Sequence, residues 1–369
     1  MAEVKILLVI TGLGVGGAER LVANMADQYV AHGHEVVIAF FHGLVEIQPL
    51  DKRVRLVNLG LEKTLLGVFK GLLNLRRLIQ DYQPDVVNSH MLHPNILCRL
   101  LRVATPMKRL VSSAHNTNEG DSVVMLAYRL TNGLADAFTN VSHEAVKTFE
   151  KKKAAPSGHI VAIPNGIDTT TFIYDDQARK KVRNELCLDD GTPVFLAVGR
   201  LWEQKDYPNL LSAISHLSKQ GHKPYVLVAG DGPLRSKLEE QARSLSVVEQ
   251  FRFLGVRNDV LDLMSACDFY VMSSAWEGLP MVILEAMSCH CPIISTDCGG
   301  VREAIGGSGI LVPTSDSLAL ANALKRALSW SKEERAEIGK IARERVVENY
   351  SLNKTVSHYL DLYQSKQPL

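Results

Sequence analysis

The sequence predicts an α/β protein of two doubly wound domains, and three observations carry that prediction. The chain has 369 residues, more than one hydrophobic core of ordinary size takes up. Apolar runs of strand length alternate with amphipathic stretches of helical length through most of it. That alternation marks parallel sheets with helices on both faces. Residues 169–192 (TTTFIYDDQARKKVRNELCLDDGT) break the rhythm with a polar stretch that reads as a linker carrying one short helix. The expected division is a first domain over residues 1–170 and a second over 171–350, with ligands at the carboxyl ends of the strands.

The first strand is VKILLVI, from Val4 to Ile10, followed by a glycine-rich turn and a helix from about Ala18 to Val30. HEVVIAFF, DVVNSH, RLVSSAH, AFTNVS and HIVAIPNG supply the remaining strands of the first half, with amphipathic segments between them. The pattern restarts at PVFLAVGR and runs through PYVLVAGDGP, QFRFLGV, ACDFYVMSS and CPIISTD. Helical segments close the chain, with Tyr350-Ser351 dividing the last two.

Composition narrows the function classes. With 46% hydrophobic and 22% charged residues, the chain can bury two cores and is not a disordered one. A formal net charge of +1 lacks the basic excess of a nucleic-acid binder, so no nucleic-acid partner is expected. No apolar stretch is long enough for a membrane-spanning helix. The apolar start is too short and too early for a signal sequence. Cys98, Cys187, Cys267, Cys289, Cys291 and Cys298 follow neither a disulfide framework nor paired zinc spacing, so reduced thiols and no metal site are expected.

Three clusters bear on chemistry. The first, GLGVGGAE, fits G-x-G-x-x-G at Gly12, Gly14 and Gly17 directly after a strand, which brings a nicotinamide dehydrogenase into view. Such an enzyme needs an acid at the end of the second strand to hold the ribose, and here that strand ends Phe40-Phe41-His42-Gly43. The loop still opens a helix, whose N–H groups suit a phosphate or a close sugar; a ligand-free tight turn is the plain alternative. The second cluster is GRLWEQKDYPNLL. It places Arg200 and Lys205 in one strand-to-helix turn, two cations able to take the charge that develops on a departing diphosphate. Taken alone, the pair also fits a solvated loop.

The third cluster, SSAWEGLPMVILEAMS, is the most informative. Glu277 and Glu285 flank a Gly278-Leu279-Pro280 turn that opens a helix. The N–H groups of Leu279, Met281 and Val282 are available to phosphate oxygens there, and the helix dipole favours an anion. Two carboxylates at that spacing can accept hydrogen bonds from a sugar ring and from a ribose on either side of a diphosphate. Glu285 sits amid Val282, Ile283, Leu284 and Ala286, where a carboxylate without partners is costly. For Glu277 alone, a helix-entry carboxylate serving the dipole remains an equal reading.

The succession GRLWEQK, GDGPLRSKLE, FLGVRNDV and EGLPMVILEAM resembles glycosyltransferase family 4, and so do GLGVGGAER, SAHN around His115, NVSHEAVKTF and IPNGID. The resemblance runs over nearly the whole chain. It implies the GT-B fold, two Rossmann-like doubly wound domains facing each other across a cleft, with a C-terminal helix over 351–369 packed back on the first domain. It also implies roles: Arg200 and Lys205 on the donor diphosphate, Glu277 on the donor sugar, and Glu285 on the ribose. Gly16 and Gly17 would approach the diphosphate, and Val256 and Arg257 would flank the nucleobase. His115 would lie close to the transferred sugar, although a histidine capping a strand end is its plain alternative. Cys289-His290-Cys291 departs from the family's usual glycine at the end of the helix after Glu285, where His290 alters a C-cap rather than the chemistry.

What the resemblance implies of activity is a retaining, metal-independent transfer of a hexose or N-acetylhexosamine from a nucleotide sugar, preferably a UDP-sugar, to a saccharide acceptor. No cofactor is expected. Arg99, Arg102, Lys108 and Arg109 interleave with apolar residues in a stretch without acids between Asp85 and Glu119, and Lys151, Lys152 and Lys153 form a second basic run. Such patches suit an anionic membrane and a lipid-linked acceptor, and solvated arginines on a helix fit as well. The look is of cytoplasmic enzymes that work at the inner membrane face on polyprenyl-diphosphate-linked surface polysaccharide, O-antigen or lipopolysaccharide. A noncatalytic or epimerase-type nucleotide-sugar-binding protein of the same fold is the alternative.

Overall fold

A computed structural model describes residues 3–62, 64–117, 119–189 and 191–365. The chain forms two compact units, one running to Gly166 and resuming at Leu352, the other spanning Ile167–Ser351.

The strands of the first unit are β1 (Lys5–Ile10), β2 (Glu35–Phe40), β3 (Arg55–Asn58), β4 (Val86–His90), β5 (Leu110–Ser113), β6 (Ala137–Asn140) and β7 (Ile160–Ala162). All pair in parallel, in the order β3-β2-β1-β4-β5-β6-β7. Helices α1 (Gly17–Ala31), α2 (Leu65–Tyr82), α3 (Leu92–Arg102), α4 (Ser122–Thr131) and α5 (His143–Lys151) connect them. Because helices cover both faces, the central strands are apolar along their length rather than alternating: five of the six residues of β1 and of β2 are buried. The sequence also starts helices where the chain must leave the sheet. Thr64 caps α2, Asp121 caps α4 and Ser142 caps α5, each side chain accepting a first-turn N–H.

The second unit begins with α6 (Asp176–Glu185) and alternates β8 (Val194–Val198), α7 (Tyr207–Lys219), β9 (Tyr225–Ala229), α8 (Arg235–Ser244), β10 (Phe251–Gly255), α9 (Val260–Ala266), β11 (Phe269–Met272), α10 (Met281–Ser288), β12 (Ile293–Thr296), α11 (Val301–Ile305) and β13 (Gly309–Val312). Two helices, α12 (Ser317–Leu328) and α13 (Lys332–Asn349), follow. The six strands are parallel, in the order β10-β9-β8-β11-β12-β13. In both sheets the strand order reverses once, between β1 and β4 and between β8 and β11. Switch points of that kind open a crevice at the strands' carboxyl ends.

The last helix, α14 (Leu352–Gln364), belongs to the first unit. Leu352, Val356, Tyr359, Leu360 and Tyr363 join the core beneath α1 and β1. Tyr363 Oη accepts from Asn88 Nδ2 at 2.7 Å and lies 3.1 Å from Tyr29 Oη. Residues 366–369 of the expected C-terminal helix lie outside the described residues.

The short helix expected within residues 169–192 is α6, and it packs in the second unit, where Arg179 donates to the carbonyls of Ser265, Ala266 and Cys267 at 3.3, 3.0 and 2.9 Å. Arg183, 2% exposed, donates to Ala266 O and to Thr192 O. Arginines that satisfy the last carbonyls of α9 are structural, although their sequence reads as solvated. The sequence reading also passed over β3 and β13. Each has four residues at the edge of its sheet, too short to carry a clear hydrophobic period.

Candidate functional site

The loop after β8 and the loop after β11 meet at the switch point of the second unit. Lys205 Nζ lies 2.7 Å from Glu277 Oε1, an ion pair whose side chains are only 17% and 8% exposed. Ser274 Oγ donates to the same oxygen at 2.8 Å, and Gln204 Nε2 donates to Oε2 at 3.1 Å and to Trp276 O at 3.0 Å. Glu277 is thus held as a hydrogen-bonded carboxylate rather than as a bare helix-entry charge. Arg200, exposed, rests with its guanidinium carbon 5.2 Å from the ring centre of Trp202, which orders a long side chain that would otherwise be mobile.

Close backbone approach builds this corner. Gly199 has φ +156, and a Cβ there would fall 2.9 Å from Lys205 Cε. Gly299 has φ +56, and a Cβ there would meet the carbonyl oxygens of Glu277 and Gly278 at 2.2 and 2.6 Å. Gly300 N–H donates to Gly278 O at 2.5 Å. Only glycine lets the segment after β12 lie against the Glu277-Gly278 backbone.

Helix α10 opens beside that corner, with Pro280 at its N-cap. Met281 and Val282 are first-turn residues, whose N–H groups have no helical carbonyl four residues back, whereas Ile283 N–H is bonded to Pro280 O. Leu279 and Glu285 are buried, Glu285 at 4% exposure. The field of Glu285 reaches Tyr270, whose hydroxyl is held well above its ordinary pKa by burial first, then by Tyr207 and Glu285. Burial and the Glu277 charge likewise push Tyr207 up, so both phenols stay protonated beside the acids. At the end of α10, His290 occupies the left-handed position with φ +61, the place where a glycine costs least.

The expected nucleobase residues divide. Val256 is 68% exposed just past β10. Arg257 is committed to Asp259 at 2.6 Å and Glu185 at 3.1 Å, and these carboxylates raise its pKa. Its guanidinium is thus held by two carboxylates beside the exposed Val256.

In the first unit the glycine loop runs from β1 into α1, with Gly16 at the N-cap and Gly17 as the first helical residue. Val15 N–H donates to Glu46 Oε2 at 3.1 Å, so this loop already binds one anionic oxygen. His115 follows β5. Its backbone N–H donates to Glu119 Oε1 at 2.9 Å, and Tyr128 Oη donates to Glu119 Oε2 at 2.5 Å. Burial lowers the His115 pKa to about 4, which keeps the ring neutral.

Of Arg99, Arg102, Lys108 and Arg109, expected to form a basic face, Lys108 alone is exposed. Arg99 is fully buried, with its guanidinium carbon 4.5 Å from the Phe138 ring centre and Nε donating to Ser112 Oγ. Arg102 pairs with Asp136 and Lys108 with Asp85, while Arg109 donates to Ser365. The acids that meet Arg102 and Lys108 stand just before β6 and β4. Lys151, Lys152 and Lys153 are exposed. The first unit exposes apolar side chains instead: Leu65, Leu66 and Phe69 at the start of α2, and Val123, Leu126 and Leu130 along α4. Among the described residues no helix is long and apolar enough to cross a membrane.

Sequence reasoning passed over Gln204, Ser274, Trp202 and His90. Gln204 and Trp202 lie inside the Arg200–Lys205 turn, a signal that was in view. His90 ends its strand as a histidine, as SAH does one strand later.

Two family models match the chain: the one described as Glycosyltransferase Family 4 over residues 15–171, and the one described as Glycosyl transferases group 1 over residues 178–345. A curated relative from Escherichia coli, a UDP-Gal:alpha-D-GlcNAc-diphosphoundecaprenol alpha-1,3-galactosyltransferase, is 26% identical over 81% of this chain and 80% of its own. A lipopolysaccharide core biosynthesis glycosyltransferase of Rhizobium meliloti is 25% identical over 95% of this chain and 96% of its own. Among solved structures, Anabaena HepE in complex with UDP is similar in fold, with a TM-score of 0.83 at 20% identity, over 97% of this chain and 99% of that one.

Proposed function

The chain belongs to glycosyltransferase family 4, and on that premise we propose that it transfers a hexose or N-acetylhexosamine, with retention, from a UDP-sugar to a lipid-linked saccharide. The observation that carries the reading is the Lys205–Glu277 pair beside the start of α10. It places a cation, a hydrogen-bonded carboxylate and the first-turn N–H groups of α10 in one corner, the groups a sugar diphosphate asks for.

In the proposed reaction Lys205 and Arg200 take up the charge that grows on the diphosphate as the anomeric C–O bond breaks. The acceptor hydroxyl attacks from the face the diphosphate leaves, and a phosphate oxygen takes its proton. Glu277 accepts from donor-sugar hydroxyls, Glu285 from the ribose, and His115 positions the sugar as a neutral ring. Gly16 and Gly17 approach the diphosphate; Val256 packs on the base. No metal is used, because the two cations serve in its place. A uridine donor is supported by the name of the Escherichia coli relative and by the UDP bound to the Anabaena protein. The relative's diphosphoundecaprenol substrate supports a polyprenyl-linked acceptor. Docking at a membrane surface is supported by Leu65, Leu66 and Phe69 beside Lys70, Arg76 and Arg77 on α2.

Calorimetric titration in EDTA with UDP, GDP and NADH tests the donor site. UDP binding that weakens in Glu285→Ala is the expected result. GDP preference changes the donor and keeps the fold's role, and binding of NADH alone overturns the reading. Turnover of UDP-hexoses on polyprenyl-diphosphate saccharides, with the product's anomeric configuration read by NMR, then tests acceptor and retention.

A further inference from the structure

Gln204 lies inside the Arg200–Lys205 turn, and its half-buried side chain bridges the loop after β8 to the loop after β11. Its amide nitrogen Nε2 donates to Trp276 O at 3.0 Å and to Glu277 Oε2 at 3.1 Å. A backbone carbonyl and a carboxylate only accept. Both amide hydrogens are therefore used, and the flipped amide would set oxygen against two oxygens. The other carboxylate oxygen of Glu277, Oε1, meets Lys205 Nζ at 2.7 Å and Ser274 Oγ at 2.8 Å.

The main chain of the turn is closed without the Gln204 amide. Lys205 N–H donates to Trp202 O at 3.0 Å and Asp206 N–H to Glu203 O at 3.1 Å. Ala275 N–H donates to the backbone oxygen of Gln204 at 2.8 Å, and Ser273 Oγ to Lys205 O at 2.8 Å. These bonds also join the two loops. What the amide adds is direction. The terminal torsion of a glutamate is soft, so donors on Oε1 alone hold that atom while the carboxylate plane tilts about it. A donor on Oε2 fixes the plane. We infer that Gln204 is a positioning residue for the donor sugar: its amide fixes the plane of the Glu277 carboxylate, and the hold of Glu277 on sugar hydroxyls passes through it. The inference rests on the reading that Glu277 accepts from the donor sugar. An acceptor aimed before its ligand arrives has less freedom to lose on binding, and that gain falls on the sugar rather than on the nucleotide.

Binding alone reads this out. The full chain is titrated calorimetrically with UDP and with UDP-glucose, UDP-galactose and their 2-acetamido analogues, the tightest-binding sugar nucleotide serving as the probe. The readout is the ratio of probe affinity to UDP affinity. Gln204→Met keeps the length of the side chain and the backbone bonds, and removes the amide. It should weaken probe binding by about five- to tenfold and leave UDP binding within about twofold; the retained UDP binding also reports an intact fold. Glu277→Ala should lower the ratio at least as far. Adding Gln204→Met to Glu277→Ala should lower it no further, because the amide then has no carboxylate to aim. A role confined to bracing the turn that carries Arg200 and Lys205 would weaken UDP and the probe together. Equal losses for both ligands in Gln204→Met, or a loss for neither, overturn the proposal. So does a loss in the Glu277→Ala background as large as in the wild type. If Glu277→Ala itself leaves the ratio unchanged, or the wild type binds none of the sugar nucleotides, the donor-sugar reading of Glu277 falls and the inference falls with it.

Discussion

Replacing Lys205 by methionine removes the cation at the donor corner while keeping an unbranched apolar chain of similar length. The Lys205–Glu277 contact of 2.7 Å corresponds to a gross attraction of about 6 kcal/mol at an effective dielectric of 20. Most of that offsets the cost of taking both charges out of water, so the pair itself adds little net stability. Breaking it is different, because an uncompensated buried carboxylate costs about 3–5 kcal/mol. Gln204 and Ser274 still donate to Glu277, which puts Lys205→Met near the lower end, about 3 kcal/mol. For a unit of this size that lowers the unfolding midpoint by roughly 6–12 °C. Adding Glu277→Gln to Lys205→Met removes the orphaned charge and should recover most of the loss. Activity should behave oppositely. Both variants lose the group opposing the leaving-group charge, and kcat should fall by about 10²–10³ in each. Calorimetric melting and initial-rate kinetics on the three proteins decide it. A single variant that melts with the wild type, or a double variant less stable than the single, refutes the reasoning.

Gly299→Ala places a Cβ 2.2 Å from a backbone carbonyl at φ +56, which should cost about 2–4 kcal/mol and weaken UDP binding, both read by thermal unfolding with and without nucleotide. The folded His115 pKa, about 4, lies below its unfolded value near 6.5. The histidine's contribution is therefore full above pH 6.5 and is lost as pH falls towards 4, up to about 3 kcal/mol. Glu119, raised by burial, contributes the opposite slope, so denaturation at pH 7.5 and 5 should be compared with His115→Asn to isolate the histidine. Of the six cysteines only Cys187 is exposed; one thiol should react rapidly with an aromatic disulfide in the native protein, and the other five only on unfolding.

The fold class was legible because hydrophobic period and turn chemistry are local properties. VKILLVI followed by glycines, and PVFLAVGR followed by a proline-initiated helix, each announce a strand and its crossover within twenty residues. The Glu277-Gly278-Leu279-Pro280 turn announces the start of α10 in the same way. Polarity misled wherever a charge is satisfied from a distance. Arg99 reads as a surface cation, yet it is buried among Phe138, Tyr128 and Ser112. Arg179 and Arg183 read as linker residues, yet they cap α9.

The sequence by itself determined which residue types stand at strand ends and helix starts, and hence which chemistry the chain can present. Only the tertiary structure decided which of them meet. Lys205 and Glu277 are joined because β8 and β11 are neighbours across a switch point, and His90 reaches His115 because β4 and β5 pair in register, His90 opposite Ser113. Strand order in a parallel sheet is fixed by how helices pack over its two faces, a long-range condition that no local pattern contains.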